Sequence, residues 1–240
     1  MRTMAYFTGE ELRKLFRSGK LKVLLALSFA IGALFAVAGG YAGLDGNLSS
    51  IALELLLAVV LPLFMAALGS ELMVGEFKDG TIKNVLRLPL SREFLYFGKL
   101  FAGWIAAACV VLAVFVPTFL GSLLLEGMPA WSSVGTNVGE AAAAVLFCGL
   151  LLVLANAVSL WTGSAGTGLV VGVVLWIGMS VLGFLEPALG RFLVTSYADW
   201  AQPLLRGGGA GASISTLLFI IAYYMIGSIL GLIAFQRKET

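Results

Sequence analysis

The sequence predicts an all-α membrane protein with six transmembrane helices. Hydrophobic residues make up 60% of its 240 residues and charged residues only 12%, whereas about a quarter of the residues of a soluble domain are charged. Apolar runs of about 20 residues recur along the chain, and each is long enough to cross a bilayer as a helix. Six such runs leave no room for a separate soluble domain, so we expect one transmembrane domain over residues 1–240.

The expected spans follow from matching the apolar runs to the thickness of a bilayer. An amphipathic helix precedes the first span, a charged segment separates the second span from the third, and a long outer connection precedes the sixth. The expected ranges are about 8–22 for the amphipathic helix, about 23–43, 51–74, 100–125, 140–162, 167–186 and 213–235 for the spans, 75–99 for the charged segment, and 187–212 for the outer connection.

Basic residues are concentrated on one side of the predicted topology. The N-terminal segment, the charged segment and the C-terminus carry thirteen of the fifteen lysines and arginines, and the other side carries Arg191 and Arg206. Basic residues flanking the spans are retained on the cytoplasmic side. We therefore expect a multi-pass protein of the cytoplasmic membrane with both termini in the cytoplasm.

The N-terminal segment has the pattern of an amphipathic helix. Thr8 and Glu11 form a capping box, in which each side chain can satisfy a free amide of the other residue. Leu12, Leu15 and Phe16 then share one helical face, and basic residues surround the rest. This pattern fits a helix lying on the inner leaflet, and it equally fits a basic flank that only sets the topology.

Several functions are disfavoured by residues that the sequence lacks. It contains no histidine, which is the commonest metal ligand and general base. Cys109 and Cys148 both fall within apolar runs and are predicted to be small buried hydrophobes. No Walker A sequence is present. We therefore expect no metal site, no catalytic residue and no nucleotide hydrolysis on this chain.

The charged segment predicts a short amphipathic helix. Ile82, Val85 and Leu86 fall at positions i, i+3 and i+4 and form an apolar stripe. Lys83 and Arg87 lie one turn apart on another face. A helix of this length is too short to be stable alone, so its stripe is expected to dock on a lipid surface or in a protein groove.

Turn and cap residues set the limits of this short helix. Thr81 follows Gly80 and is a helix-start residue. Pro89 ends the helix, because the residue before a proline is pushed out of helical geometry. Ser91 can cap the next helix, and Arg92 falls in its first turn. The segment is therefore predicted to form a short helix, a break at Pro89 and the start of a second helix after Ser91.

This segment resembles a family signature. It reads Glu76-Phe77-Lys78-Asp79-Gly80-Thr81-Ile82-Lys83-Asn84-Val85-Leu86, followed by Pro89-Leu90-Ser91-Arg92 and by Lys99. This is similar to the E-x-x-x-G-T-[IL]-K-x-[IL]-L…P-[IVL]-S-R…K signature of ABC-2 type transporter permeases. The small permeases of bacitracin and lantibiotic self-protection and of cytolytic-peptide export are the nearest in pattern. The N-terminal helix, the six spans and the outer connection extend the resemblance over the whole chain.

The resemblance implies a type V exporter-like permease that works as a homodimer in the lipid bilayer. Each copy would bind a separate ATP-binding cassette ATPase subunit, which holds the ATP and Mg²⁺, and no nucleic acid would be involved. The helix at 76–88 would be the cytoplasmic coupling helix seated in a groove of that ATPase. The residues that this implies for coupling are Glu76, Gly80, Thr81, Ile82, Lys83, Val85, Leu86, Arg87, Pro89, Ser91 and Arg92.

Three polar residues within the predicted spans are further candidates. Ionisable groups in a membrane are costly to bury and for that reason often functional. Glu54 and Glu71 lie near opposite ends of the second span, where a carboxylate can also simply remain hydrated. Asn156 lies near the middle of the fourth span, where a hydrogen bond between helices is the commoner role.

The expected function is the membrane half of an ATP-driven exporter. An apolar interior with few buried charges suits an amphipathic peptide or a lipid-like substrate. The alternative is an ATP-independent secondary transporter or a channel, which normally places charged residues or broken helices at mid-membrane. A membrane-bound enzyme is disfavoured by the missing histidines and by the lack of paired carboxylates at mid-membrane.

Overall fold

A computed structural model describes residues 2–42, 48–78, 80, 91–126, 133–190, 192–198, 200–205 and 210–237. Within these ranges the protein is helical and has no strand. The elements are α1 Arg2–Arg17, α2 Gly19–Ala42, α3 Leu48–Ala58, α4 Val60–Glu71, α5 Val74–Lys78, α6 Arg92–Glu126, α7 Val134–Thr162, α8 Ala165–Leu185, α9 Pro187–Gly190, a 3₁₀-helix at Val194–Tyr197, α10 Gln202–Leu205 and α11 Ala210–Arg237.

Six stretches of the described residues are long and apolar enough to cross a membrane. They lie in α2, in α4 with α5, and in α6, α7, α8 and α11. The predicted all-α fold with six membrane-spanning helices is therefore confirmed.

Helix α7 forms the centre of the bundle. It packs against α4, α6, α8 and α11, and α2 lies along α6 on the outside. Most of α7 is buried, whereas most of α8 and α11 is exposed. A helix that is apolar on all sides is suited to such a central position, and the apolar outer faces of α8 and α11 suit contact with lipid.

The stretch 51–74, expected as one span, is divided at Val59. The backbone there leaves helical geometry, with φ −133° and ψ −56°. Pro62 explains the break, because it has no N–H to donate to the carbonyl of Ala58 four residues earlier. The indole Nε1 of Trp176 on α8 donates to that carbonyl at 3.1 Å. The neighbouring helix thus replaces the hydrogen bond that the proline removes.

The amphipathic helix differs from its predicted range of 8–22. It begins at Arg2 and ends at Arg17, so Thr8 lies inside the helix rather than at its start. The break falls at Ser18, whose Oγ accepts from the backbone N–H of Leu21 at 3.3 Å. Ser18 therefore caps α2, and the chain turns between α1 and the first span.

Helix α6 is much longer than a bilayer requires. Its 35 residues give a length of about 52 Å at about 1.5 Å per residue, whereas the hydrocarbon core is about 30 Å thick. It begins at Arg92, eight residues before the span predicted at 100–125. We call its first two turns the projecting part of α6, and we call this end of the bundle, where α1 also lies, the basic end.

Candidate functional site

Helix α1 is docked on the projecting part of α6. The Phe7 side chain is buried and packs on Leu95, and its ring lies 6.3 Å from that of Phe94, measured between centroids. A Cβ added at Gly98 would lie 2.8 Å from the Phe7 ring, so this close approach depends on glycine. The helix is therefore held by protein contacts as well as by any contact with lipid.

Four charged side chains meet between α1, α5 and α6 and form what we call the ion cluster (Glu11, Lys14, Glu76 and Lys99). Lys99 is only 1% exposed. Its Nζ lies 2.9 Å from Oε2 of Glu11 and 2.6 Å from Oε1 of Glu76. Lys14 Nζ lies 2.6 Å from Oε1 of Glu11 and 3.7 Å from Oε1 of Glu76. The ion cluster thus fastens three helices to one another.

The ion cluster contains two carboxylates and two ammonium groups, so its formal charges balance. Burial by itself raises the pKa of Glu11, but Lys99 and Lys14 together outweigh it and hold that pKa below its ordinary value. Burial likewise lowers the pKa of Lys14, and hydrogen bonding and attraction from Glu11 and Glu76 raise it above its ordinary value. Both groups are therefore charged at neutral pH, which is the condition for stable pairing in a buried site.

The ion cluster lies at the entrance to the predicted coupling segment. Glu76 is in α5, and the chain leaves that helix through Gly80, whose φ of +65° favours glycine. At the far end, Ser91 Oγ accepts from the N–H of Phe94 at 3.3 Å, which caps α6 at Arg92 as expected. Seven of the predicted coupling residues lie outside the described residues: Thr81, Ile82, Lys83, Val85, Leu86, Arg87 and Pro89.

Glu71 forms a second ion pair at the basic end. Its Oε1 lies 2.6 Å from Nζ of Lys20, and the two side chains are 41% and 73% exposed. This pair and the ion cluster line one cavity of about 820 Å³, which we call the basic-end cavity. The remaining walls are largely apolar and include Leu21, Leu24, Leu68, Leu72 and Ala102.

The other two polar candidates lie away from the ion cluster. At the opposite end of the bundle, Gln202 Nε2 donates to Oε2 of Glu54 at 3.3 Å, which joins α10 to α3. Asn156 is fully buried, and its Nδ2 lies 3.8 Å from Sδ of Met73. This is a weak hydrogen bond between α7 and the turn before α5.

Sequence reasoning did not assign Glu11, Lys14 or Lys99 to a common site. A signal was nevertheless present, because helical spacing places Glu11 on the same face of α1 as Phe7 and Leu15, and a charged residue on an apolar face needs a partner. Lys99 likewise stands at the edge of a long apolar run, where an ionisable side chain is a functional candidate. The pairing itself required the packing of α1 on α6.

The fold defines the class of protein. Six apolar helices make it a multi-pass integral membrane protein. Among the described residues, no three His, Cys, Asp or Glu side chains are grouped as a metal site.

Residues 10–182 match the sequence model of the ABC-2 family transporter protein, and the chain belongs to this family. Membership confirms the expected resemblance and implies a transmembrane subunit of an ABC exporter that works with an ATPase. No curated protein matches the chain.

Proposed function

We propose that the chain is the permease of an exporter for amphipathic peptides or lipid-like molecules. Two copies of the chain form the transmembrane part, and each binds a separate ATP-binding cassette ATPase through the coupling segment 76–88. ATP and Mg²⁺ are bound by the ATPase, and this chain supplies the path through the membrane. The basic end faces the cytoplasm, as the distribution of lysines and arginines predicts.

The ion cluster is the observation that carries this proposal. The predicted coupling segment 76–88 begins at Glu76, and Glu76 is paired with the buried Lys99 at 2.6 Å. Separating a buried ion pair is costly, so α5 and α6 are expected to move together. A movement of the coupling segment would therefore move the third span, and it would also move α1 through the pair of Lys99 with Glu11.

A cavity that opens to the outside of the bundle, where Leu175 and Leu230 are 48% and 43% exposed, supports an apolar or amphipathic cargo. The cavity, of about 550 Å³, lies among α4, α7, α8 and α11. Its walls are almost entirely apolar and include Ala66, Leu154, Leu175, Trp176 and Leu230. A cavity with such walls favours hydrocarbon groups over ions or sugars, because polar groups placed there would lose hydrogen bonds to water.

The test of the coupling role places a charge on the apolar stripe formed by Ile82, Val85 and Leu86. The chain is co-expressed with candidate ATP-binding cassette ATPases, the complex that forms is purified into nanodiscs, and ATP turnover is measured. Val85→Asp should weaken copurification of the ATPase about tenfold or more, since an unpaired charge would have to enter an apolar groove. Membrane insertion should be unchanged, because the substitution lies outside the spans.

Asn84→Asp is the matched control. It introduces the same charge, and helical spacing places it on the face opposite the stripe, so the complex should persist. Normal assembly and normal transport by Val85→Asp would refute the coupling role of this segment. Transport by the purified chain without any ATPase would instead support a secondary transporter or a channel.

A further inference from the structure

The mouth of the basic-end cavity exposes more positive charge than negative charge. Lys14 and Lys20 line the cavity and are 57% and 73% exposed. Of the carboxylates that line it, Glu71 is 41% exposed, whereas Glu11 and Glu76 are largely buried within the ion cluster. A ligand that approaches from the solvent therefore meets two accessible ammonium groups and one accessible carboxylate.

Two further basic residues flank this mouth. Arg17 and Lys22 are exposed, and within the described part of the chain neither forms an ion pair. Arg17 is adjacent to Ser18, which lines the cavity. Lys22 stands between Leu21 and Val23, which also line it. Since no carboxylate pairs with these two side chains, they add to the positive potential of the mouth, which favours an anion.

The walls of the cavity are apolar and continue onto the exposed side of α2. Leu24, Leu68 and Leu72 lie on the walls. Val23 lines the cavity and is also 57% exposed, and Leu27, one turn further along α2, is exposed too. The volume of about 820 Å³ lies within the range of about 300–1,000 Å³ that is usual for ligand sites. A hydrocarbon chain held here could therefore extend into the bilayer along α2 without crossing water.

We propose that the basic-end cavity binds an anionic phospholipid from the leaflet at that end of the bundle. The phosphate lies at the mouth and accepts hydrogen bonds from Lys14 and Lys20, because an ammonium group has three donors and its ion pairs do not use all of them. One acyl chain lies against the apolar walls between α2 and α4. A lipid fits better than a free phosphate or an acidic peptide, since the charged mouth adjoins walls that open to the bilayer.

This site is separate from the apolar cavity among α4, α7, α8 and α11, and the inference does not depend on the proposed cargo. The bound lipid would join α1 to the first two spans, since Lys14 belongs to α1, Lys20 to α2 and Leu68 to α4. It is therefore proposed as a lipid partner of the permease and not as a transported molecule.

The test measures lipid binding to the full chain in phosphatidylcholine nanodiscs, with no ATPase present. Two probes with the same diazirine-bearing acyl chain are compared, a phosphatidylglycerol and a phosphatidylcholine, and the cross-linked peptides are identified by mass spectrometry. The phosphatidylglycerol probe should label residues 15–24 and 67–76 at least about fivefold more strongly than the phosphatidylcholine probe. This ratio is the contribution of one basic residue near a membrane surface, about 1 kcal/mol, converted to binding.

Substitutions should act in two directions. Arg17→Gln and Lys22→Gln should each weaken labelling by phosphatidylglycerol up to about fivefold, because each removes an unpaired positive charge. Glu71→Gln should strengthen it severalfold, because it removes the accessible carboxylate and releases Lys20. Lys78→Gln is the matched control. It removes an exposed lysine of α5 that does not line the cavity, and it should change nothing.

Weaker labelling of Glu71→Gln, equal labelling by the two probes, or an effect of Lys78→Gln as large as that of Arg17→Gln would overturn the proposal. Labels spread evenly over the exposed residues of α2, α8 and α11 would also overturn it, since they would show only a general attraction to the membrane surface. Displacement of the probe by inorganic phosphate or by a glutamate-rich peptide would overturn it in favour of a soluble ligand. Since no ATPase is present, a failure of the coupling experiment with Val85→Asp would leave this result unaffected.

Discussion

Removing the buried ammonium of the ion cluster should destabilise the protein more than removing any exposed one. Lys99→Met keeps most of the apolar stem of the side chain but leaves Glu11 and Glu76 facing each other without the group that joins them. Removing one partner of a buried ion pair costs about 3–5 kcal/mol. We expect a value near the lower end, because Lys14 still lies 2.6 Å from Glu11.

The assay is thermal unfolding of the purified chain in detergent, followed by tryptophan fluorescence. A loss of 1 kcal/mol lowers the melting temperature by roughly 2–4 °C for a chain of this size, so about 3 kcal/mol corresponds to about 6–12 °C. Lys20→Met is the matched control. It breaks a pair whose lysine is 73% exposed, and exposed pairs contribute about 1 kcal/mol or less.

The pH dependence gives a second readout of the same substitution. In the native protein the pKa of Glu11 lies below its ordinary value of 4.5. Its contribution is therefore present above about pH 4.5 and is lost as the pH falls through the lower, folded-state value. Without Lys99 one of the two ammonium groups that lower that pKa is lost, so the pKa of Glu11 in the variant lies above its value in the native chain. The difference between the two melting temperatures should therefore narrow below about pH 4.5, since protonation of Glu11 removes an attraction to Lys99 that only the native chain has.

Equal melting temperatures for the native chain and Lys99→Met, or equal losses for Lys99→Met and Lys20→Met, would refute this reasoning. A double variant tests the origin of the loss. Adding Glu76→Gln to Lys99→Met removes the carboxylate whose nearest remaining ammonium, that of Lys14, is 3.7 Å away, so the double variant should be more stable than Lys99→Met alone. A simple sum of the two losses would show that the side chains do not act as a pair.

Two further predictions concern the packing of the spans. Trp176→Phe should lower the free energy of unfolding by about 1–3 kcal/mol, because the carbonyl of Ala58 then loses its indole donor. Trp161→Phe removes an exposed indole and should lower the free energy of unfolding by less in the same thermal assay. Gly32→Ala should lower the melting temperature, since its Cβ would lie 2.6 Å from a backbone oxygen of α6. Gly178→Ala meets nothing within 4 Å and should be neutral or stabilising by up to about 1 kcal/mol; the opposite order of the two glycine variants would contradict the packing of α2 on α6.

Much of the fold could be predicted from composition and local pattern. Six apolar runs long enough for a bilayer are visible without any tertiary information, because the membrane requires each spanning segment to satisfy its own backbone hydrogen bonds as a helix. The cap at Ser91 was likewise a local signal and was correct. The position of the break in the second span could not be read so directly, since Pro62 weakens the helix but the donor that replaces its hydrogen bond comes from Trp176, far away in sequence.

The N-terminal helix shows why a correct local motif can still be overridden. Thr8 and Glu11 have the spacing of a capping box, but Phe7 packs on α6 and the helix continues upstream to Arg2. Glu11 is then used for an ion pair with Lys99. Tertiary packing outweighs a cap here because a cap contributes only about 1 kcal/mol, which burial of an aromatic side chain exceeds.

By itself the sequence determined the helical class, the number of spans, the family signature and the concentration of basic residues on one side. These depend on composition and on spacing along a single helix. Only the tertiary structure decided that Glu11 and Lys14 meet Glu76 and Lys99 and that one cavity lies beside them. Glu11 and Lys99 are separated by 88 residues, and no local spacing rule connects them. The packing of α1 on the projecting part of α6 brings them together, because pairing is the least costly way to bury those charges.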